Sequence, residues 1–419
     1  MDRRDFMKLA GATGLVLASP LPSRDATAQE GARPYDGPLF VFVGANGGWD
    51  PTFFCDPKGF MSEDEDNPMN RTYANADIGT VGNLPFAPVG EYPAFVERHY
   101  QKMMVINGID TKTNGHDSGR RVVASGKLND GFPAFGALVA AEYGAGMPMG
   151  FITNGFYDAT SGTTARTRVG NLAAFERIAR PNTIQNDRLF HTEETMARIQ
   201  EAQQSRLLAM KQQAKLPKEQ QTMSTLHMAR GSDNVLSRLL DTLPDERPNG
   251  GLERQAQLAI AAYKAGACVS ATLSTGGFDT HGNHDQSHLP RLNNIWAGVD
   301  YLWEEAERQG VADKVVVIIG SDFGRTPRYN SNNGKDHWSV TSMILMGNGI
   351  PGNTLIGETT HEHRLRTVDP SSLRVDDAGI RIEPGHVHWA LRKLAKIENS
   401  PLHAQFPLDV KEYLPLFGS

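Results

Sequence analysis

A series of short apolar runs punctuates the chain, and most of them lead straight into glycine and acidic residues. Leu39-Phe40-Val41-Phe42-Val43 runs into Gly44-Ala45-Asn46-Gly47-Gly48-Trp49-Asp50. Met103-Met104-Val105-Ile106-Asn107 runs into a turn rich in Gly, Asp and Thr at 108–118. The run at 267–274 precedes Gly276-Gly277-Phe278-Asp279-Thr280-His281-Gly282-Asn283, and the run at 314–320 precedes Ser321-Asp322-Phe323-Gly324-Arg325. A further run, 341–346, instead follows Gly334-Lys335-Asp336-His337. Continuous rather than alternating hydrophobicity marks strands covered on both faces, as in a parallel sheet.

Between these runs the apolar spacing becomes helical. It predicts helices over 94–101, 119–125, 131–143, 252–265, 289–309 and 387–397; within 252–265 the apolar positions Leu252, Ala256, Ala259, Ile260 and Tyr263 fall near a 3.6-residue period. Residues 192–243 are dominated by Gln, Glu, Lys, Met and Leu, with a break at Pro217, and read as a helical hairpin inserted into the domain. Alternating strand and helix predicts an α/β fold, with a mainly parallel central sheet and helices on both faces.

Composition adds bounds. The 419 residues, 39% hydrophobic and 21% charged, are those of an ordinary globular chain, and the net charge of −6 carries no basic stripe of the kind nucleic-acid binding needs. Arg3-Arg4-Asp5-Phe6-Met7-Lys8, an apolar stretch from Leu9 to Ser19 and the small-x-small site Ala26-Thr27-Ala28 together form a twin-arginine export signal over 1–28. The translocase is thus an expected partner, and a single domain is expected over 29–419, in the periplasm or outside the cell. No later segment approaches the ~18 continuous apolar residues of a membrane span. Cys55 and Cys268 are the chain's two cysteines; in an oxidising compartment they could pair or remain two separate buried thiols.

Asp50, Asp279 and Asp322 share one address, a few residues beyond an apolar strand. In an open parallel sheet such positions converge at the carboxyl ends of the strands. Clustered carboxylates repel one another unless a cation neutralises them. With His281 and His337 the set becomes a mixed oxygen and nitrogen donor group suited to zinc, manganese or iron(II), whereas carboxylates alone suit magnesium or calcium. His284, His288, His361 and His363 read mostly as surface residues.

Gly47-Gly48-Trp49-Asp50, Gly276–Asn283, Ser321-Asp322-Phe323-Gly324-Arg325-Thr326-Pro327 and Gly334-Lys335-Asp336-His337 resemble the signature blocks of the exported bacterial family known as domain of unknown function 1501, related to the alkaline phosphatase and sulfatase superfamily. The resemblance implies an alkaline phosphatase-like fold with one or two divalent ions (zinc, manganese or calcium) at the strand ends. It also implies hydrolysis of a small phosphate, sulfate or related anionic ester. The alternative is a non-catalytic exported protein that keeps the fold for binding or envelope assembly. By resemblance Asp50 matches the first metal-binding acid, Asp279, His281 and His337 match the ligands of one metal, and Asp322 matches the acid of the other. Phe323 stands where the superfamily usually has a histidine, and the 279–281 spacing is shorter than usual, which leaves His284 as a substitute. The nucleophile's address, after the strand that follows the first acid, holds Thr111, Thr113 and Ser118 with His116 beside them. Ser118 is taken as the nucleophile, while Arg120, Arg121 or Arg325 would clamp the anion.

Overall fold

A computed structural model of the chain describes residues 35–418 apart from 63–65, 146, 169–174, 177–178, 185–187, 215, 217–218, 220–222, 224–234 and 245. The expected export signal at 1–28 and the expected break at Pro217 lie outside the described residues.

The apolar runs form the strands of one sheet. In chain order these are β1 (Leu39–Ala45), β2 (Met103–Asp110), β3 (Phe151–Thr153), β4 (Arg166–Thr167), β5 (Ser270–Thr275), β6 (Val315–Ser321), β7 (Val340–Gly347) and β8 (Thr354–Ile356). Their order across the sheet is β8-β2-β7-β6-β1-β5-β3-β4. β1 lies parallel to both β5 and β6, β3 parallel to β5 and β4, and β8 parallel to β2. β7 alone runs antiparallel to its neighbours, β2 and β6.

Helices cover both faces: α1 (Tyr92–His99), α2 (His116–Ser125), α3 (Phe135–Tyr143), α4 (Glu193–Gln213), α5 (Val235–Thr242), α6 (Gly251–Lys264), α7 (His284–Arg308), α8 (Pro384–Leu394) and the short α9 (Pro401–Gln405). Alternation along β1 separates the two cores. Leu39, Val41, Val43 and Ala45 face the layer that contains α1, α5, α6 and α7. Phe40 and Phe42 face α2, α3 and α8. The expected mainly parallel sheet with two helical layers is therefore the one observed.

The elements differ from expectation mostly at their ends. α7 begins at His284 rather than near Leu289, with Pro290 inside the helix. That extra turn carries His284 and His288 into the core, where both are 0% exposed. They are not surface residues, and neither is the fully buried His363, whose Nδ1 lies 3.2 Å from Asp56. In the expected hairpin, α4 and α5 are present, and Leu207 is the buried residue of α4. Cys55 and Cys268 are both buried free thiols, so the disulfide alternative does not hold.

Candidate metal centre

The loops at the carboxyl ends of the parallel strands hold most of the residues singled out from the sequence. β1 delivers Asp50, the turn after β2 delivers His116 and Ser118, β5 delivers Asp279 and His281, and β6 delivers Asp322 and Arg325. His337 reaches the same edge by the opposite route. It precedes β7, which runs against its neighbours and so starts where they end. The loops press together because glycine removes the side chains between them. A Cβ on Gly47, which has φ +122°, would collide with the Asp279 backbone nitrogen, and one on Gly334 would collide with the His281 carbonyl.

Asp279, His281, His337 and His116 form one group. Asp279 Oδ1 lies 3.0 Å from His337 Nε2 and 2.9 Å from His281 Nε2, and those two nitrogens lie 3.0 Å apart. His116 Nε2 approaches Asp279 Oδ2 at 3.4 Å. Each imidazole is held through its other nitrogen. His337 Nδ1 donates to the Asn114 carbonyl oxygen at 2.7 Å, His281 Nδ1 to Asp336 Oδ1 at 2.7 Å, and His116 Nδ1 to Asp322 Oδ2 at 2.7 Å. Because Asn114 O only accepts, Nδ1 of His337 carries the proton, which leaves Nε2 of the neutral ring with a lone pair.

Lone-pair nitrogens and a carboxylate oxygen crowded at about 3 Å fit a cation. Donors at that spacing match bonds of ~2.0–2.1 Å to one ion. Second-nitrogen hydrogen bonds to carboxylates and a backbone carbonyl are the usual outer support of metal-binding histidines. His116, Asp279 and His337 also place one donor atom each within 4.8 Å of one another. The residues present therefore fit a divalent ion with mixed nitrogen and oxygen ligation.

Electrostatics agree with this grouping. Burial opposes ionisation of Asp279, but Arg325, His337 and His281 outweigh it and hold the carboxyl below the usual carboxylate range. Burial raises Asp322 against the pull of the His116 hydrogen bond. The hydrogen bond from His281 lowers Asp336. Phe323 is fully buried and packs its ring 5.0 Å from His116 and 4.4 Å from His337, giving the imidazoles an apolar floor.

Three of the expected residues are placed differently from that group. Arg325 is 0% exposed and its donors are turned to neighbouring loops: Nε donates to Gly48 O at 2.8 Å, Nη1 to Lys335 O at 2.9 Å, and Nη2 to Gly47 O and to Asp279 Oδ1. It fastens loops and orients Asp279. Asp322 meets the group through His116. Asp50 is drawn away from the group into a buried network. Its Oδ2 accepts from Lys335 Nζ at 2.6 Å and lies 3.2 Å from His284 Nε2, while Oδ1 accepts from Thr52 N at 3.0 Å and Thr52 Oγ1 at 2.7 Å. The protons in this network follow from its donors. Asp50 N donates to His288 Nε2, so His288 Nδ1 is protonated and faces Thr280 Oγ1; that hydroxyl donates to His284 Nδ1, and His284 Nε2–H faces Asp50. Burial lowers both imidazoles' pKa and keeps the rings neutral.

Ser118 is the third residue of α2. Its Oγ is 2.6 Å from Thr113 Oγ1 and donates to Gly115 O at 3.1 Å, closing the helix entry turn. Of the other proposed clamps, Arg120 pairs with Asp117 and Arg121 with Asp130.

Sequence reasoning did not single out Lys335, or Arg291, whose exposed guanidinium lines an open cleft of about 620 Å³ together with Asp279, His281 and Gln286. A second cleft of about 340 Å³ is lined by Arg328, Asp336, Trp338 and Arg364. The His-x-x-x-His spacing at 284 and 288 was a visible signal that both rings share one helix face.

Comparison with known proteins adds a family and a set of distant structural likenesses. No curated protein matches the chain significantly in sequence. Among solved structures, a Bacteroides thetaiotaomicron protein designated BT33494S-sulf, from a glycosaminoglycan-metabolism locus, is 11% identical, with 92% of this chain and 77% of that one covered and a TM-score of 0.42. The lipoteichoic acid synthase LtaP from Listeria monocytogenes is 8% identical over 91% of this chain and 75% of its own, with a TM-score of 0.35. The alkaline phosphatase from the Antarctic bacterium TAB5 is 10% identical over 86% of this chain and 98% of its own, with a TM-score of 0.34. The profile described as "Protein of unknown function (DUF1501)" matches residues 153–374, a span that includes Asp279, His281, Asp322 and His337. With more than half of its length matched, the chain belongs to the DUF1501 family.

Proposed function

We propose that this protein is an exported, metal-dependent hydrolase of phosphate, sulfate or related anionic esters. The observation that carries the reading is the convergence of His116, His337 and Asp279, with His281 against the last two, each imidazole steadied through its second nitrogen. These four residues would hold the ion. When bound, it supplies Lewis-acid polarisation of an ester oxygen and neutralises charge developing there. Arg291, at the rim of the adjoining cleft, supplies the accessible cation for an anionic substrate. Ser118, in the first turn of α2 where the helix dipole favours an anion, is the hydroxyl nucleophile of this reading. The twin-arginine motif at Arg3-Arg4 supports export, with a mature chain starting near Gln29. Among the described residues no helix is long and apolar enough to cross a membrane.

A second reading, a non-catalytic exported binding protein, is favoured by the involvement of the Ser118 hydroxyl in the turn with Thr113 and Gly115. Elemental analysis of natively exported protein, followed by assay against phosphomonoesters, phosphodiesters and sulfate esters, separates the two. Stoichiometric metal with turnover, both lost in His337→Ala, is the expected result. Absence of stoichiometric metal sinks the first reading, and metal-replete protein inert across the panel selects the second.

A further inference from the structure

The resemblance allows one or two ions, with Asp50 and Asp322 as acids beyond the main group. The buried network around Asp50 bears on that count. Resting on the metal-centre reading above, we infer that the centre holds a single divalent ion and that the Lys335 ammonium is the built-in cation that serves Asp50 in place of a second one.

The Asp50 carboxylate has no free oxygen to offer an ion. Both oxygens of Asp50 are taken, Oδ2 by Lys335 Nζ at 2.6 Å and by His284, and Oδ1 by the backbone and side chain of Thr52. Asp50 and Lys335 are each 0% exposed. An ion at Asp50 would have to displace an ammonium whose one ion pair among the described residues is with Asp50, leaving an uncompensated charge in the core.

The donor set on the Asp322 side is equally poor. Phe323 presents ring carbon where a histidine would present nitrogen, and it is locked between His116 and His337. Asp322 Oδ2 is committed to His116. Oδ1, which has no hydrogen-bond partner among the described residues, is the one open acceptor there. One carboxylate oxygen does not make a coordination sphere, because even a structural zinc site draws on about four donors.

Charge points the same way. Asp50 is paired with Lys335 and Asp279 with Arg325, whereas Asp322 and Asp336 meet imidazoles. The two carboxylates without a fixed cation match the charge of one divalent ion. The backbone of Lys335 fixes the place from which its ammonium reaches Asp50. Lys335 N donates to Thr280 O, and Lys335 O accepts from Arg325, so the residue sits between Asp279-Thr280-His281 and Asp336-His337. Its side chain then runs beneath the site to Asp50, fixing both ligand loops from below.

The test is metal stoichiometry of the full-length exported protein, stripped with chelator, titrated with zinc and separately with manganese, desalted and measured by mass spectrometry. One equivalent per chain is expected, and Asp50→Asn should keep it with affinity within tenfold of the wild type. Two retained equivalents overturn the inference, as does a folded Asp50→Asn protein whose affinity falls more than tenfold. Zero equivalents would overturn the metal-centre reading itself, so the two failures are distinct. Should Asp50→Asn fail to fold, the wild-type count decides alone.

Discussion

Replacing Arg325 with methionine separates a scaffold role from a substrate-binding one. The substitution keeps an unbranched buried chain of similar reach and removes every donor. Gly47 O, Gly48 O and Lys335 O each lose their guanidinium hydrogen bond, and Asp279 loses its 2.7 Å ion pair. A buried carbonyl left without its partner costs about 1–3 kcal/mol. The Asp279 side chain is 46% exposed, so solvent screens its share of the loss and it adds little. Relaxation of the loops recovers part of the rest, and a net loss of about 4–6 kcal/mol is expected, a large part of the ~5–15 kcal/mol that holds a typical domain folded. At ~2.1 cal/mol/K of unfolding entropy per residue, a chain of this length should melt about 5–7 °C lower. Melting followed by circular dichroism, on metal-free and metal-loaded protein, reads the effect. Arg325→Lys, which keeps the charge but not the planar fork, should fall between the two. A methionine variant that melts within about 2 °C of the wild type while losing ester turnover would refute the argument and restore Arg325 as an anion clamp.

Other consequences are equally accessible. Asp336→Asn and Asp322→Asn should each weaken metal binding by about 10–100-fold without changing its stoichiometry, measured by competition with a chelating dye. Loss of stoichiometric binding in Asp322→Asn at saturating metal would place that carboxylate on the ion itself. His388 is buried, donates from Nε2 to Val123 O at 2.8 Å, and has its pKa pushed by burial down to about 4. Below its unfolded value near 6.5 the unfolded chain binds the extra proton, so stability falls as pH drops from about 6.5 to 4. The loss is about 2 kcal/mol at pH 5 and about 3 kcal/mol at pH 4. Urea unfolding of wild type and His388→Gln at pH 7 and pH 5 should show that slope shrink in the variant; an unchanged slope would assign it elsewhere. Cys55 and Cys268 should be silent to a thiol reagent in the native state and both react after unfolding, since burial pushes each thiol's pKa up. A disulfide-linked species on a non-reducing gel would contradict this.

The sheet was legible because its strands are covered on both sides, and a run such as Val315-Val316-Val317-Ile318-Ile319 admits little else. The strand-end acids were legible for the same reason, since topology gathers whatever follows those runs. What the sequence concealed was the division of labour among them. Asp50 and Asp279 occupy equivalent addresses, yet one pairs with Lys335 in the core and the other faces a cleft. That outcome depends on which side chain enters from a loop nearly three hundred residues away. Pro290 obscured the start of α7, and with it the burial of His284 and His288. Arg325 looked like a clamp because an arginine beside acids commonly is one; only its carbonyl partners reveal the difference. His116 was identified, but as a companion of Ser118 rather than of Asp279 and Asp322.

The reversed strand β7 has a consequence for the order of events in folding. Inserted between β2 and β6, it carries His337 into a group whose other members arise from loops after parallel strands. A chain in which β7 has not yet seated can present His116, Asp279 and His281 but lacks the imidazole that meets both His281 and Asp279. An ion held at the finished group would bridge the reversed strand to its neighbours, and withdrawing β7 would then require breaking metal–ligand bonds as well as the sheet ladder. The centre would then act as a latch on the middle of the sheet, expressed less in the depth of the native well than in the slowness of escape from it.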